Sequence, residues 1–172
     1  MTDYEGTHPT VPVRVGDRYA QIDEQLAPAI QAMWECGFDT FTCCQDVGES
    51  NTDWPEKLPH MAEWVESRRG WTLIDFPVDS GLAFLSAVTN AGLRDAFYVR
   101  TTHWAAPDAW DVTVRPMDVA MFRAELPSQF RLQLLQVSFP AYDLPEVTRR
   151  LREHAAGRSV PPAPADWSTI GR

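Results

Sequence analysis

The 172-residue sequence has no apolar run approaching the ~20 residues a membrane-crossing helix needs, so no membrane is expected among its partners. Positive charge is scarce: 15 Lys and Arg stand against 24 Asp and Glu, a formal net charge of -9 at pH 7. That balance excludes a phosphate-tracking surface, which needs concentrated basic residues, so no nucleic acid is expected either. The one basic cluster, Arg149, Arg150 and Arg152, reads as the solvated face of a helix. There is no glycine-rich phosphate loop, no CxxC and no HxxxH. No metal and no cofactor are therefore expected from spacing. Residues 1–10 contain Asp3 and Glu5 and no apolar stretch, which excludes a secretory signal there. Cysteine is limited to Cys36, Cys43 and Cys44. An odd number without a signal points to reduced thiols and a cytoplasmic location, and a bridge between the neighbours Cys43 and Cys44 would strain the peptide link.

What is present is material for a core. Hydrophobic residues make up 44% of the chain and seven are Trp. A chain of this length buries about 70% of its unfolded surface. The expected organisation is a domain over residues 11–157, a flexible N-terminus over 1–10 and a Pro-rich flexible tail over 158–172.

Val11 to Ile22 reads as a hairpin around Gly16-Asp17, with glycine at the first central position as a type II′ turn requires. Pro12 confines its first strand to an edge. A helix follows, with Pro28 in its first turn, Ile30, Met33 and Trp34 on one face, and Gly37 as the left-handed stop. Phe38 to Cys43 reads as a strand. Gln45 to Gly70 is irregular, with a polar loop over Val47 to Trp54 and a short helix between Pro59 and Arg69.

A local grammar then recurs. Trp71–Pro77, Val112–Pro116 and Leu134–Pro140 are β-type runs ending at proline, followed by Asp79, Asp118 and Asp143 as expected helix caps. Phe97–His103 and Trp110–Arg115 read as a second hairpin, in which Trp104 faces Trp110 and His103 faces Asp111. The order ββ-α-β-(loop, short helix)-β-α-β-β-α-β-α implies an α+β fold: a mixed, largely antiparallel sheet with helices mainly on one face.

The chemistry-bearing candidates centre on Thr42-Cys43-Cys44-Gln45-Asp46, at the expected end of a strand where clefts open. Alternation points Cys43 and Cys44 to opposite faces, one to the core and one to the loop. A nucleophilic thiol needs nearby positive charge, whereas Asp39, Asp46, Glu49 and Asp53 surround this one. The catalytic candidates are Cys44, with His103 or His60 as base, and His103 with Asp111, a pair that reads first as ordinary cross-strand polar decoration. The ligand-binding candidates are Cys44, Gln45, Asp46, His60, Trp104 and Trp110, the tryptophans serving either as core or as a ligand platform. His8 and His154 fall on the flexible N-terminus and on a helix end and are set aside.

Ile22-Asp23-Glu24, Ala27-Pro28, Met33-Trp34, Gly37, Thr40 and Cys44-Gln45 together resemble a group of uncharacterised bacterial and phage proteins of unknown function. The resemblance covers Val13 to Asp46, about a fifth of the chain. Group members usually continue Cys-Gln-Gly, and here Asp46 stands in place of that glycine.

Three readings follow. The first is a non-catalytic module that binds a small ligand or a protein through the Cys44 loop and a Trp-rich hairpin. The second is a cysteine-dependent enzyme. The third is an acidic inhibitor or immunity-type partner, whose Asp46, Glu49, Asp53 and Glu56 would form a continuous acidic face.

Overall fold

The computed structural model describes residues 7–92, 95–102, 108–118 and 131–157. The expected flexible tail, the helix anticipated after Asp118, and His103 and Trp104 lie outside the described residues.

Strands β1 (Thr10–Val15) and β2 (Arg18–Asp23) form the expected hairpin, with Val15 opposite Arg18 across Gly16-Asp17. Gly16 has φ 58° and no described non-glycine residue has positive φ, which fits the II′ turn. Helix α1 (Ala27–Glu35) carries Pro28 in its first turn, and Gly37 follows at φ 83°. Its Ile30 and Met33 are fully buried.

A second sheet contains β3 (Thr42–Cys44), β4 (Trp71–Pro77), β5 (Asp111–Asp118) and β6 (Arg131–Pro140), in the order β3-β4-β6-β5, all neighbours antiparallel. The fold is α+β. Helices α5 (Val78–Thr89) and α7 (Leu144–Ala155) join α1 over the face that presents Ile74, Phe76, Val137 and Phe139. The opposite face is polar at its centre. There the fully buried Asp75 accepts hydrogen bonds from Thr42 (2.6 Å), Arg115 (2.6 Å) and Gln136 (3.0 Å). This network ties β3, β5 and β6 to β4 and fixes their register, because a one-residue slip would carry Asp75 into the apolar face.

Between β3 and β4 the chain folds into α2 (Val47–Ser50), α3 (Trp54–Lys57), a 3-10 turn at Pro59–Met61, and α4 (Ala62–Ser67). The polar loop expected over Val47 to Trp54 is thus partly helical. The missed signal was Asp46, whose Oδ1 accepts from the Glu49 amide at 2.9 Å and caps α2. Gly48 seats that turn: a Cβ there would lie 2.5 Å from the Arg69 nitrogen and 2.6 Å from the Val65 oxygen.

Four further expectations change. Where Phe97–His103 was expected as a strand, the described part is helical: α6 spans Ala96–Thr102, and Asp95 accepts from the Tyr98 amide at its start. The second hairpin therefore does not form; β5 pairs with β6 instead. Pro116 does not end its strand, because β5 lies at the sheet edge, where a missing N–H is tolerated. Neither Asp79 nor Asp143 caps through its side chain; α5 begins directly after Pro77, and Asp143 turns to Arg100 and to Trp110 Nε1.

The basic cluster is a solvated face only in part: Arg152 is exposed and Arg149 partly so, but Arg150 is not. Arg150 is fully buried and makes a bidentate pair with Asp95 at 2.6 and 2.7 Å. Glu146, one turn earlier on α7, bonds both Arg149 and Arg150. Arg149 above all, then Arg150, hold the Glu146 carboxyl down to about 2 from its ordinary 4.5. A carboxyl depressed on folding stabilises above its unfolded value and loses that contribution as pH falls through the folded one. The Glu146 contribution is therefore complete above pH 4.5 and fades toward pH 2. Urea midpoints measured across that window should fall more steeply for the natural protein than for Glu146→Gln, and parallel curves would contradict this.

Candidate functional site

The short strand β3 delivers its two cysteines to opposite faces, as the alternation predicts. Cys43 pairs with Ile74 and packs against the core cluster. Burial, then the charges of Asp23, Cys44 and Asp75, push its thiol up to about 12. Cys44 pairs with Leu73 on the polar face and is half-buried. Its sulfur shares a hydrogen bond with Ser50 Oγ at 3.0 Å. Burial raises this thiol too; Ser50 and the Asp46 backbone work against the shift, while Asp23 and Asp46 add to it.

The chain after Cys44 is pinned rather than free. The Gln45 amide donates to Asp23 Oδ2 at 2.9 Å, and its side-chain oxygen accepts from the Gln25 amide at 3.1 Å. Asp46 Oδ2 accepts from the Gly70 amide at 2.8 Å. These bonds dock the end of β2, and with it Asp23, beside Cys44.

His8 completes the cluster. It is 7% exposed, packed just before β1 between two acids, although nothing in its sequence neighbourhood marks it. Its Nε2 donates to Glu49 Oε2 at 3.2 Å, and its Nδ1 stands 3.4 Å from Asp23 Oδ2. One ligand-capable atom from each of His8, Asp23 and Cys44 lies within 4.8 Å of the other two. A separate groove of about 430 Å3 is lined by Arg18, Tyr19 and Ile22 of β2, Trp34 of α1, and Asp39, Phe41 and Cys43, and by none of His8, Asp23 and Cys44.

Other sequence candidates lie elsewhere. His60 is exposed in the Pro59–Met61 turn, and no contact among the described residues joins it to Cys44. Trp110 is 2% exposed and belongs to the core, with ring centroids 4.5 Å from Phe139 and 5.1 Å from Phe97. It is therefore a core residue, because its indole N–H is satisfied internally by Asp143 at 3.0 Å. Asp111 pairs with Arg68 at 2.7 Å, and that guanidinium lies 4.7 Å over the Trp71 ring. The structure thus keeps Cys44, Gln45 and Asp46 together and sets beside them His8, which the sequence reading puts aside, Glu49, which it names only among the surrounding acids, and Ser50, which it does not name. Asp23 was visible only as part of the Ile22-Asp23-Glu24 resemblance.

Nucleophilic thiols are activated by an adjacent base, a nearby cation or a helix N-terminus. Here the partner of Cys44 is a serine hydroxyl, and both nitrogens of His8 face carboxylates. No family model, curated protein or solved structure matches this chain. Among the described residues no helix is long and apolar enough to cross a membrane.

Proposed function

We propose that the protein is a non-catalytic binding module whose site is the His8–Asp23–Cys44 cluster. The observation that carries this reading is the convergence of an imidazole, a carboxylate and a thiol from three separate segments, with the thiol engaged by Ser50 rather than by a base. The Asp23 carboxylate favours a positively charged or hydrogen-bond-donating ligand. The free thiols of Cys36, Cys43 and Cys44 suit a reducing compartment such as the cytoplasm.

The acidic-partner reading has less support, since its carboxylates are individually engaged: Asp46 by backbone amides, Glu49 by His8 and Asp53 by Lys57. A ligand-observed NMR screen of small amines and polar fragments against the full chain tests the proposal. Hits should protect Cys44 from alkylation. They should bind about tenfold or more weakly to Asp23→Asn, since a hydrogen bond to a charged group contributes about 1.5–3 kcal/mol. Hits that leave Cys44 unprotected, or bind the variant equally, overturn it.

A further inference from the structure

We infer that His8, Asp23 and Cys44 form a site for a divalent transition-metal ion of the zinc class, with His8 coordinating through Nδ1 and Glu49 holding the ring from behind. The inference rests on reading this cluster as a binding site.

The geometry at His8 argues for it. Glu49 can only accept, so Nε2 carries the proton of that 3.2 Å hydrogen bond. The other ring nitrogen stands 3.4 Å from Asp23 Oδ2. As a neutral ring, His8 would offer that nitrogen's lone pair to a cation lying between the two atoms, in the place a proton takes in the imidazolium. Metal-binding histidines commonly donate their second nitrogen to a carboxylate, which is the role Glu49 plays here.

The distances suit a small tetrahedral ion. Bonds of about 2.0–2.2 Å to nitrogen and oxygen and about 2.3 Å to sulfur imply edges near ~3.3 Å for N···O and ~3.6 Å for contacts to sulfur. The His8–Asp23 separation of 3.4 Å already matches the first edge. The sulfur has to approach by about 1 Å at most, given the 4.8 Å outer limit of the cluster, by turning away from Ser50.

A nitrogen, oxygen and sulfur set selects a borderline-soft ion over magnesium or calcium, which prefer oxygen alone. Thiolate and carboxylate together balance a 2+ charge, and the cation makes their proximity favourable. Three protein ligands leave a fourth position for water or a small molecule.

The test uses the full, untagged chain stripped with a chelator and titrated with Co2+ alone. One equivalent should produce a tetrahedral visible spectrum and a near-ultraviolet thiolate-to-cobalt charge-transfer band. Cys44→Ser should abolish that band. His8→Gln and Asp23→Asn should each weaken binding on the order of 100-fold, since loss of an outer partner alone removes 10–100-fold. Glu49→Gln should weaken it by about tenfold on the same scale.

A measurement on the unaltered chain guards against variants that fail to fold. Long-range 1H–15N NMR of the His8 ring should show Nδ1, not Nε2, responding to Zn2+. The inference is overturned if no band forms at one equivalent, if the band persists in Cys44→Ser, or if His8 carries a proton on both nitrogens and ignores Zn2+. Should amines protect Cys44 while neither metal binds, the metal inference alone fails. Should neither amines nor metal bind, the reading of the cluster as a binding site fails with it.

Discussion

Replacing Arg150 with alanine is expected to destabilise the protein by about 3–5 kcal/mol, the usual consequence of leaving one buried charge without its partner. The orphan would be Asp95, which like Arg150 has no exposed side-chain surface. Arg150 also donates to the Val88 carbonyl at the end of α5 at 2.6 Å, to Glu146 at 2.8 Å, and stacks 4.4 Å over Phe97 of α6. One guanidinium thus joins α5, α6 and α7. For a chain of this size each kcal/mol shifts Tm by about 2–4 °C, so a fall of roughly 6–20 °C is expected. Arg150→Lys should recover little, since an ammonium cannot make the bidentate pair. The double variant Arg150→Met/Asp95→Leu should recover most of the loss, because removing both charges also removes the orphan. Urea denaturation of the three variants checks this, and a change below about 1 kcal/mol for Arg150→Ala would contradict the assignment.

Trp110→Ala is expected to have an effect of similar size, about 3–5 kcal/mol, as for other large aromatic deletions in a core. Its ring lies among Phe84, Phe97 and Phe139, with centroids 6.3, 5.1 and 4.5 Å away. Its N–H also satisfies Asp143, the residue that Arg100 holds from the other side. Trp110→Phe keeps most of the packing and should lose far less. If Trp110 is a core residue and not a ligand platform, Trp110→Phe should leave Co2+ binding at His8, Asp23 and Cys44 unchanged. A large loss of binding with little loss of stability would reverse that assignment.

Both predictions concern residues whose surroundings the sequence misrepresents. Arg150 sits in a run of basic residues that looks solvated, and its burial follows from Asp95, far away in the chain. Trp110 looks like half of an aromatic hairpin because Phe97 to His103 is rich in β-type residues. That preference yields to tertiary context: Asp95 supplies the cap, and Phe97 and Val99 are buried on α6.

What the sequence determined by itself is whatever is decided within a few residues. Gly16 sets the hairpin turn, Pro28 and Gly37 bound α1, the alternation along Thr42 to Cys44 separates Cys43 from Cys44, and Trp71 to Pro77 is a strand. These are steric preferences of single residues and short periods, so they survive without knowledge of the rest. Only the tertiary structure decided what stands beside Cys44. The histidine precedes β1, the aspartate ends β2, and the Gln45–Asp23 hydrogen bond between two segments draws them together. No spacing rule encodes that meeting, because its ligands share no helix and no turn; they become neighbours only when the hairpin docks against the edge of the sheet.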